Sequence, residues 1–145
     1  MRDRTSHRVS WAGVREVLAY TDVFLPNEAE LAAVTGIADP ASAAAQLTAR
    51  GTTVVLKQGA AGAQAWWPDG TCRAPGIAVS VVDTTGAGDS FDAGFLAGRL
   101  RGLPIQQCLA MAVAAGSLST RAAGGTAAQP GEAELVAVLS GASTR

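Results

Sequence analysis

The chain has 145 residues, is 48% hydrophobic but only 5% aromatic, and carries a net charge of −1. That length suits one domain with a sizeable core, and its richness in Ala and Gly suits tight helix–sheet packing and not disorder. The near-neutral charge, with a pI of about 5.7, gives no electrostatic case for nucleic acid or an anionic membrane as partner.

Cys72 and Cys108 have no metal or redox spacing, and no apolar segment follows the charged start Met1-Arg2-Asp3-Arg4. A cytoplasmic protein with reduced thiols is therefore expected. The stretch from Leu109 to Leu118 is too short, and too broken by Gly and Ser, to span a bilayer.

The predicted elements alternate along the chain. Trp11 to Ala19 reads as a helix, and Asp22-Val23-Phe24-Leu25, ending at Pro26, as a buried strand. Asn27 to Val34 is a helix stopped by Gly36. Asp39-Pro40 opens another, with an N-cap Asp and Pro at the first helical position; it ends near Arg50 and Gly51. Thr52 to Lys57 is a β-branched strand, and Gly59 to Gly62 a turn. Ala63 to Trp67 and Thr71 to Arg73 form a hairpin about Pro68-Asp69-Gly70. Ile77 to Val82 is a further extended apolar run. Helices follow at about 87–101, 105–121 (opened by Pro104) and 132–140, with a Gly/Ala-rich loop at 122–131. This order argues for an α/β layered fold with a largely parallel sheet. A doubly wound sheet normally begins with a strand, whereas this chain begins with polar residues and a helix.

The most informative segment is Asp83-Thr84-Thr85-Gly86-Ala87-Gly88-Asp89, running into Ser90-Phe91-Asp92-Ala93-Gly94-Phe95. It lies where an extended run becomes a helix, the place where α/β sheets bind ligands. Gly86 and Gly88 permit close approach of backbone to phosphate, and bare N–H groups at a helix start bind anions. Asp89 can take a proton from a hydroxyl while those groups hold the transferring charge. Asp83 and Thr85 offer oxygens to a hard cation or to the loop itself. The alternative is a glycine-rich turn in which Asp89 merely caps a helix. Phe91 occupies the sixth position, so the dinucleotide Gly-x-Gly-x-x-Gly pattern fails, and no Walker Gly-Lys-Ser/Thr occurs.

Asp-Thr-Thr-Gly-Ala-Gly-Asp-Ser-Phe followed by Ala-Gly-Phe resembles the C-terminal signature of the ribokinase-like (pfkB) carbohydrate kinases, ATP-dependent enzymes that phosphorylate sugars and nucleosides. The resemblance implies that Asp89 is the catalytic base and that the Gly86-Ala87-Gly88 backbone is the anion hole. It implies that Asp83 and Thr85 belong to a monovalent-cation site, for which K+ is the candidate. Pro26-Asn27-Glu28-Ala29-Glu30 carries an Asn-x-x-Glu spacing. Read from the residues it is a capping box; by resemblance, Asn27 and Glu30 position Mg2+ and phosphate, largely through water. Lys57-Gln58-Gly59-Ala60-Ala61-Gly62 resembles the nucleotide-side loop, with Lys57 a point charge for ATP phosphates or a solvated side chain. Ala110 to Arg121 resembles the helix bordering the adenine, with Val113 where some relatives have Asn or His. Gly124-Gly125-Thr126 resembles the loop closing the cation and nucleotide site, and otherwise reads as a helix C-terminal glycine. Asp92, three residues after Asp89, is expected to be exposed, Trp66-Trp67 to pack on a sheet face, and His7 to do nothing chemical.

The resemblance covers about residues 11–139 and reads 1–145 as the C-terminal portion of a single pfkB domain. The implied fold is a ribokinase-like three-layer α/β/α sandwich with a mostly parallel sheet, without the N-terminal strands and lid. Most sugar-binding residues would lie in that other half, and a strand edge would be left open to pairing. Expected partners are a sugar or nucleoside, and either a second copy or a complementary N-terminal chain. The function implied is transfer of the ATP γ-phosphate to a carbohydrate hydroxyl. A nucleoside kinase of the same family, or a non-catalytic remnant that binds nucleotide or a partner chain, are the alternatives.

Overall fold

The computed structural model describes residues 11–142; His7 and the Met1–Arg4 start lie outside them. In chain order the elements are α1 (Ala12–Leu18), β1 (Val23–Phe24), α2 (Glu28–Thr35), α3 (Pro40–Thr48), β2 (Thr53–Lys57), a 3-10 turn (Gly59–Ala61), β3 (Gly62–Trp67), β4 (Gly70–Pro75), α4 (Ala87–Leu100), α5 (Ile105–Ser119) and α6 (Glu132–Ala142). The helix starts follow local chemistry. Asn27 and Glu30 form the capping box of α2, and the Asp39 side chain accepts the Ser42 N–H ahead of Pro40. Gly36 closes α2 with a φ of 74°, a left-handed turn that suits glycine. Among the described residues no helix is long and apolar enough to cross a membrane.

The strands form one sheet in the order β1-β2-β3-β4. Alternation along β2 divides the core in two. Val54 and Leu56 pack on one face with Leu31, Val34, Ala43, Ala44 and Leu47 of α2 and α3. Val55 points the other way, into a cluster with Phe91 and Phe95 of α4 and Leu109 and Ala112 of α5. Trp66 and Trp67 likewise pack on opposite faces. Helices therefore cover both sides of the sheet, giving the expected three layers.

The sheet itself is mixed. β1 and β2 are parallel, but β2–β3 and β3–β4 are antiparallel. The reason is connection length. Parallel neighbours need a crossover of a dozen or more residues, whereas Gly59–Ala61 and Pro68-Asp69 return the chain at once. The run Ile77–Val82 also differs from expectation: it joins no ladder among the described residues. Val81 and Val82 remain exposed, and the Val82 and Asp83 N–H groups both donate to the Thr120 carbonyl, at 2.8 and 3.1 Å.

α4 and α5 lie backbone against backbone. A methyl group at Gly94 would come within 2.8 Å of the Met111 carbonyl oxygen and 2.9 Å of the Ala115 Cβ. At Gly98 it would meet the Cys108 Sγ at 2.9 Å, and at Gly116 the Ala87 carbonyl at 3.1 Å. The two helices thus run antiparallel along a seam of small residues. Gly94→Val should cost about 1–3 kcal/mol by overpacking this seam. Gly13→Ala, where an added methyl meets nothing within 4 Å, should gain up to about 1 kcal/mol of helix propensity. Urea unfolding midpoints report both, and a Gly94→Val midpoint at or above that of the parent would contradict the seam.

Candidate active site

The start of α4 is held by a clamp between two loops. Asp83 Oδ1 accepts the Thr85 N–H at 2.9 Å and the Thr85 hydroxyl at 2.7 Å, and Oδ2 accepts the Gly124 N–H at 2.9 Å. The Gly124 bond first, then those from Thr85, hold the Asp83 carboxyl below the usual carboxylate range. Gly86 sits at the helix N-cap with a φ of 73°, and a methyl there would lie 2.8 Å from the Gly125 Cα. Both the conformation and the contact require glycine. The Gly124–Gly125 loop therefore meets the Gly86–Gly88 turn.

Because Gly86 has no side chain, nothing caps α4. The Ala87 N–H donates to the Thr84 carbonyl at 3.1 Å and the Ser90 N–H to Gly86 at 2.9 Å. Among the described residues the N–H groups of Gly88 and Asp89 have no acceptor, as the first turn of a helix dictates. Of the expected anion hole, Ala87 is thus engaged within the turn, while Gly88 and Asp89 present free donors at the positive end of a 14-residue helix. Asp89 is exposed in that same turn. Gly88 has room: a methyl there would meet only the Lys57 Nζ, at 3.8 Å.

Lys57 and the start of α2 come to this place through the sheet. The Lys57 N–H donates to the Pro26 carbonyl at 2.8 Å, and Asn27 forms an isolated parallel bridge with Lys57. The C-terminal end of β2 and the N-terminus of α2 are thereby side by side. Asn27 Oδ1 accepts the Glu30 N–H at 2.8 Å and Glu30 Oε2 the Asn27 N–H at 2.9 Å, leaving Glu30 Oε1 and the Asn27 amide nitrogen outside the box. Lys57 Nζ lies 3.0 and 3.4 Å from the two Asp92 carboxylate oxygens and 6.0 Å from the centre of the Phe91 ring. Burial pushes the Asp92 carboxyl up; the Lys57 bond and charge pull it down, and the charges of Asp89 and Glu30 push it up again.

Several expectations are refined. Asp92 is not a solvated surface group: its side chain is 34% exposed and that of Lys57 only 21%. The i, i+3 spacing from Asp89 was its one sequence signal. Val113 is 5% exposed within the α4–α5 core cluster, so its side chain offers almost no surface to a ligand. Gly62 is buried in β3, where a methyl would meet the Ala74 carbonyl at 2.1 Å; it serves strand packing, and of the loop's two glycines Gly59 is the one open to solvent. Among the described residues no three His, Cys, Asp or Glu side chains group as a metal site. The donor set at Asn27 and Glu30 suits Mg2+, which keeps most of its waters and relies on one or two carboxylates plus substrate phosphates.

The family model for pfkB family carbohydrate kinases matches residues 3–131. A fructokinase of Klebsiella pneumoniae is 40% identical over 126 residues, covering 81% of this chain and 41% of that protein. A ribokinase II candidate of E. coli, solved with ATP and Mg2+, superposes with a TM-score of 0.83 at 27% identity, over 88% of this chain and 42% of that one. A fructokinase double mutant of Vibrio cholerae O395, bound to fructose, ADP and potassium, gives 0.79 at 30% identity, over 88% and 43%. The chain thus spans about two fifths of each of these proteins.

The two aspartates should titrate on opposite sides of their ordinary value of 3.8, Asp83 below it and Asp92 above. Asp83 then contributes stability that is present above 3.8 and lost as pH falls through its lowered pKa. The elevated Asp92 acts oppositely, its contribution being lost as pH rises through its own pKa. Carboxyl carbon NMR titration checks the order, and Lys57→Met should move Asp92 further upward. An Asp92 that titrates below Asp83 would contradict this geometry.

Proposed function

Because the chain belongs to the pfkB family of carbohydrate kinases and carries part of the ribokinase fold, we propose that it supplies the phosphate-handling portion of an ATP-dependent kinase acting on a carbohydrate hydroxyl. The observation that carries the reading is the uncapped first turn of α4, where free Gly88 and Asp89 N–H groups adjoin the exposed Asp89 carboxylate. In this reading Asp89 is the general base that takes the hydroxyl proton. The Gly88 and Asp89 N–H groups, with Gly86 shaping the turn, hold the charge on the phosphoryl oxygens.

Lys57 stands at the edge of the same turn as a cation for the phosphates, and Gly59 and Gly125 flank the nucleotide. Asn27 and Glu30 would hold Mg2+ through water, using the atoms the capping box leaves free. Magnesium, when bound, neutralises phosphate charge. Asp83 and Thr85 act first as the clamp that fixes the loop; a K+ ion beside it would use the lone pairs the clamp leaves over. The acceptor is a sugar, as in the fructokinases to which the chain is similar.

Turnover of Mg-ATP with a panel of monosaccharides, followed by ADP release, tests the assignment. Asp89→Asn should lower kcat by about 10²–10⁴-fold while Mg-ATP affinity stays within about threefold of the parent, since the carboxylate is not a phosphate ligand. Equal kcat for Asp89→Asn and the parent would contradict the role of Asp89.

A further inference from the structure

Lys57 is the single lysine of the chain, which otherwise places arginine at each of its ten remaining Lys/Arg positions. A sequence that uses guanidinium everywhere else sets its one ammonium beside the first turn of α4. The two groups differ physically. Arginine is a rigid planar fork, whereas lysine is a compact point charge on a flexible stem that can turn from one oxygen to another.

The stem starts from a fixed point, because the Lys57 N–H is bonded to Pro26 at the end of β2. It ends on Asp92, with Nζ 3.0 and 3.4 Å from the two oxygens. Asp92 is one turn beyond Asp89 on α4. The space above Gly88 is bordered by the same Nζ, 3.8 Å from where a methyl would stand. The ammonium and the free Gly88 N–H thus share one opening. The charges of Asp89 and Glu30 are negative and oppose that of Asp92. An arriving phosphate meets the Lys57 ammonium there, and Asp92 decides where that cation stands.

We propose that Asp92 is a positioning residue: it holds the Lys57 ammonium at the mouth of α4, so that Lys57 reaches the phosphate oxygens received by the Gly88 and Asp89 N–H groups. This rests on the reading of that helix start as the phosphate site. Asp92 acts only through Lys57, because its own charge repels phosphate. The pair is half-buried, so it is screened less than a surface ion pair. Without Asp92 the ammonium disperses among solvated rotamers.

Calorimetric titration with Mg-ATP of the parent, Asp92→Asn, Lys57→Met and the double variant tests this, with thermal unfolding confirming that each is folded. Asp92→Ser takes the place of the asparagine variant should that one unfold. Asp92→Asn should weaken Mg-ATP binding about tenfold when Lys57 is present and have no effect in the Lys57→Met background. Equal losses in the two backgrounds would make Asp92 a structural residue of α4 and overturn the proposal, with the phosphate site standing. Unchanged affinity in every variant would do the same. A parent chain without saturable Mg-ATP binding would overturn the phosphate-site reading, and the proposal with it.

Discussion

The close approach of α4 to α5 is the constraint on which the site depends. Helices separated by ordinary side chains can slide and rotate against one another; helices in backbone contact cannot. Here the contact extends from Gly116 against the Ala87 carbonyl, through Gly94 against Met111, to Gly98 against Cys108. One end of that seam is the first residue of α4. The helix start is thereby fixed on α5, and the loop leaving α5 is fixed in turn on the helix start, through the Gly124 N–H to Asp83 and the Gly125 contact with Gly86. Phe91 and Phe95, on the neighbouring face of α4, anchor the same helix to Val55 of the sheet. Burying each of these aromatic side chains contributes roughly 1.5–3 kcal/mol.

Three parts of the chain distant in sequence meet at this point. The end of β2 brings Lys57, the start of α2 brings Asn27 and Glu30, and the start of α4 brings Gly88, Asp89 and Asp92. All are element ends, the positions where layered α/β folds leave backbone donors unpaired. The charges are arranged with the same economy. Asp83 is satisfied by Thr85 and Gly124 and serves the loop, while Asp92 is satisfied by Lys57, which leaves Asp89 as the carboxylate facing outward. A carboxylate without a partner, beside N–H donors without an acceptor among the described residues, fits the proposed transfer of a phosphoryl group to an alcohol.

Much of this was legible in the sequence because it depends on local chemistry. Asn27 with Glu30, Asp39 with Pro40, and Gly36 each mark a helix end through interactions a few residues long, and the structure has those ends. The glycines of the Gly86–Gly88 turn were legible for the same reason. What escaped depends on partners far along the chain. Ile77–Val82 has the composition of a strand, but a strand needs a neighbour, and this one pairs with none among the described residues. The sheet is mixed because two short turns decided its direction, although the alternation of elements suggested parallel order. Asp92 reads as a surface residue until Lys57, 35 positions earlier, is placed against it. Val113 lies on α5 but is buried in the core. The clamp from Asp83 to Gly124 spans 41 positions and has no local signature.

The uncapped first turn of α4 is proposed to be an assembled phosphate site. Amide proton–nitrogen NMR during titration with Mg-ATP tests it most directly. Saturable shifts are expected that are largest at the Gly88 and Asp89 amides and that disappear in Gly88→Val, a substitution that fills the opening without straining the backbone. Shifts centred elsewhere, or Gly88 and Asp89 amides that stay still while nucleotide binds, would contradict it.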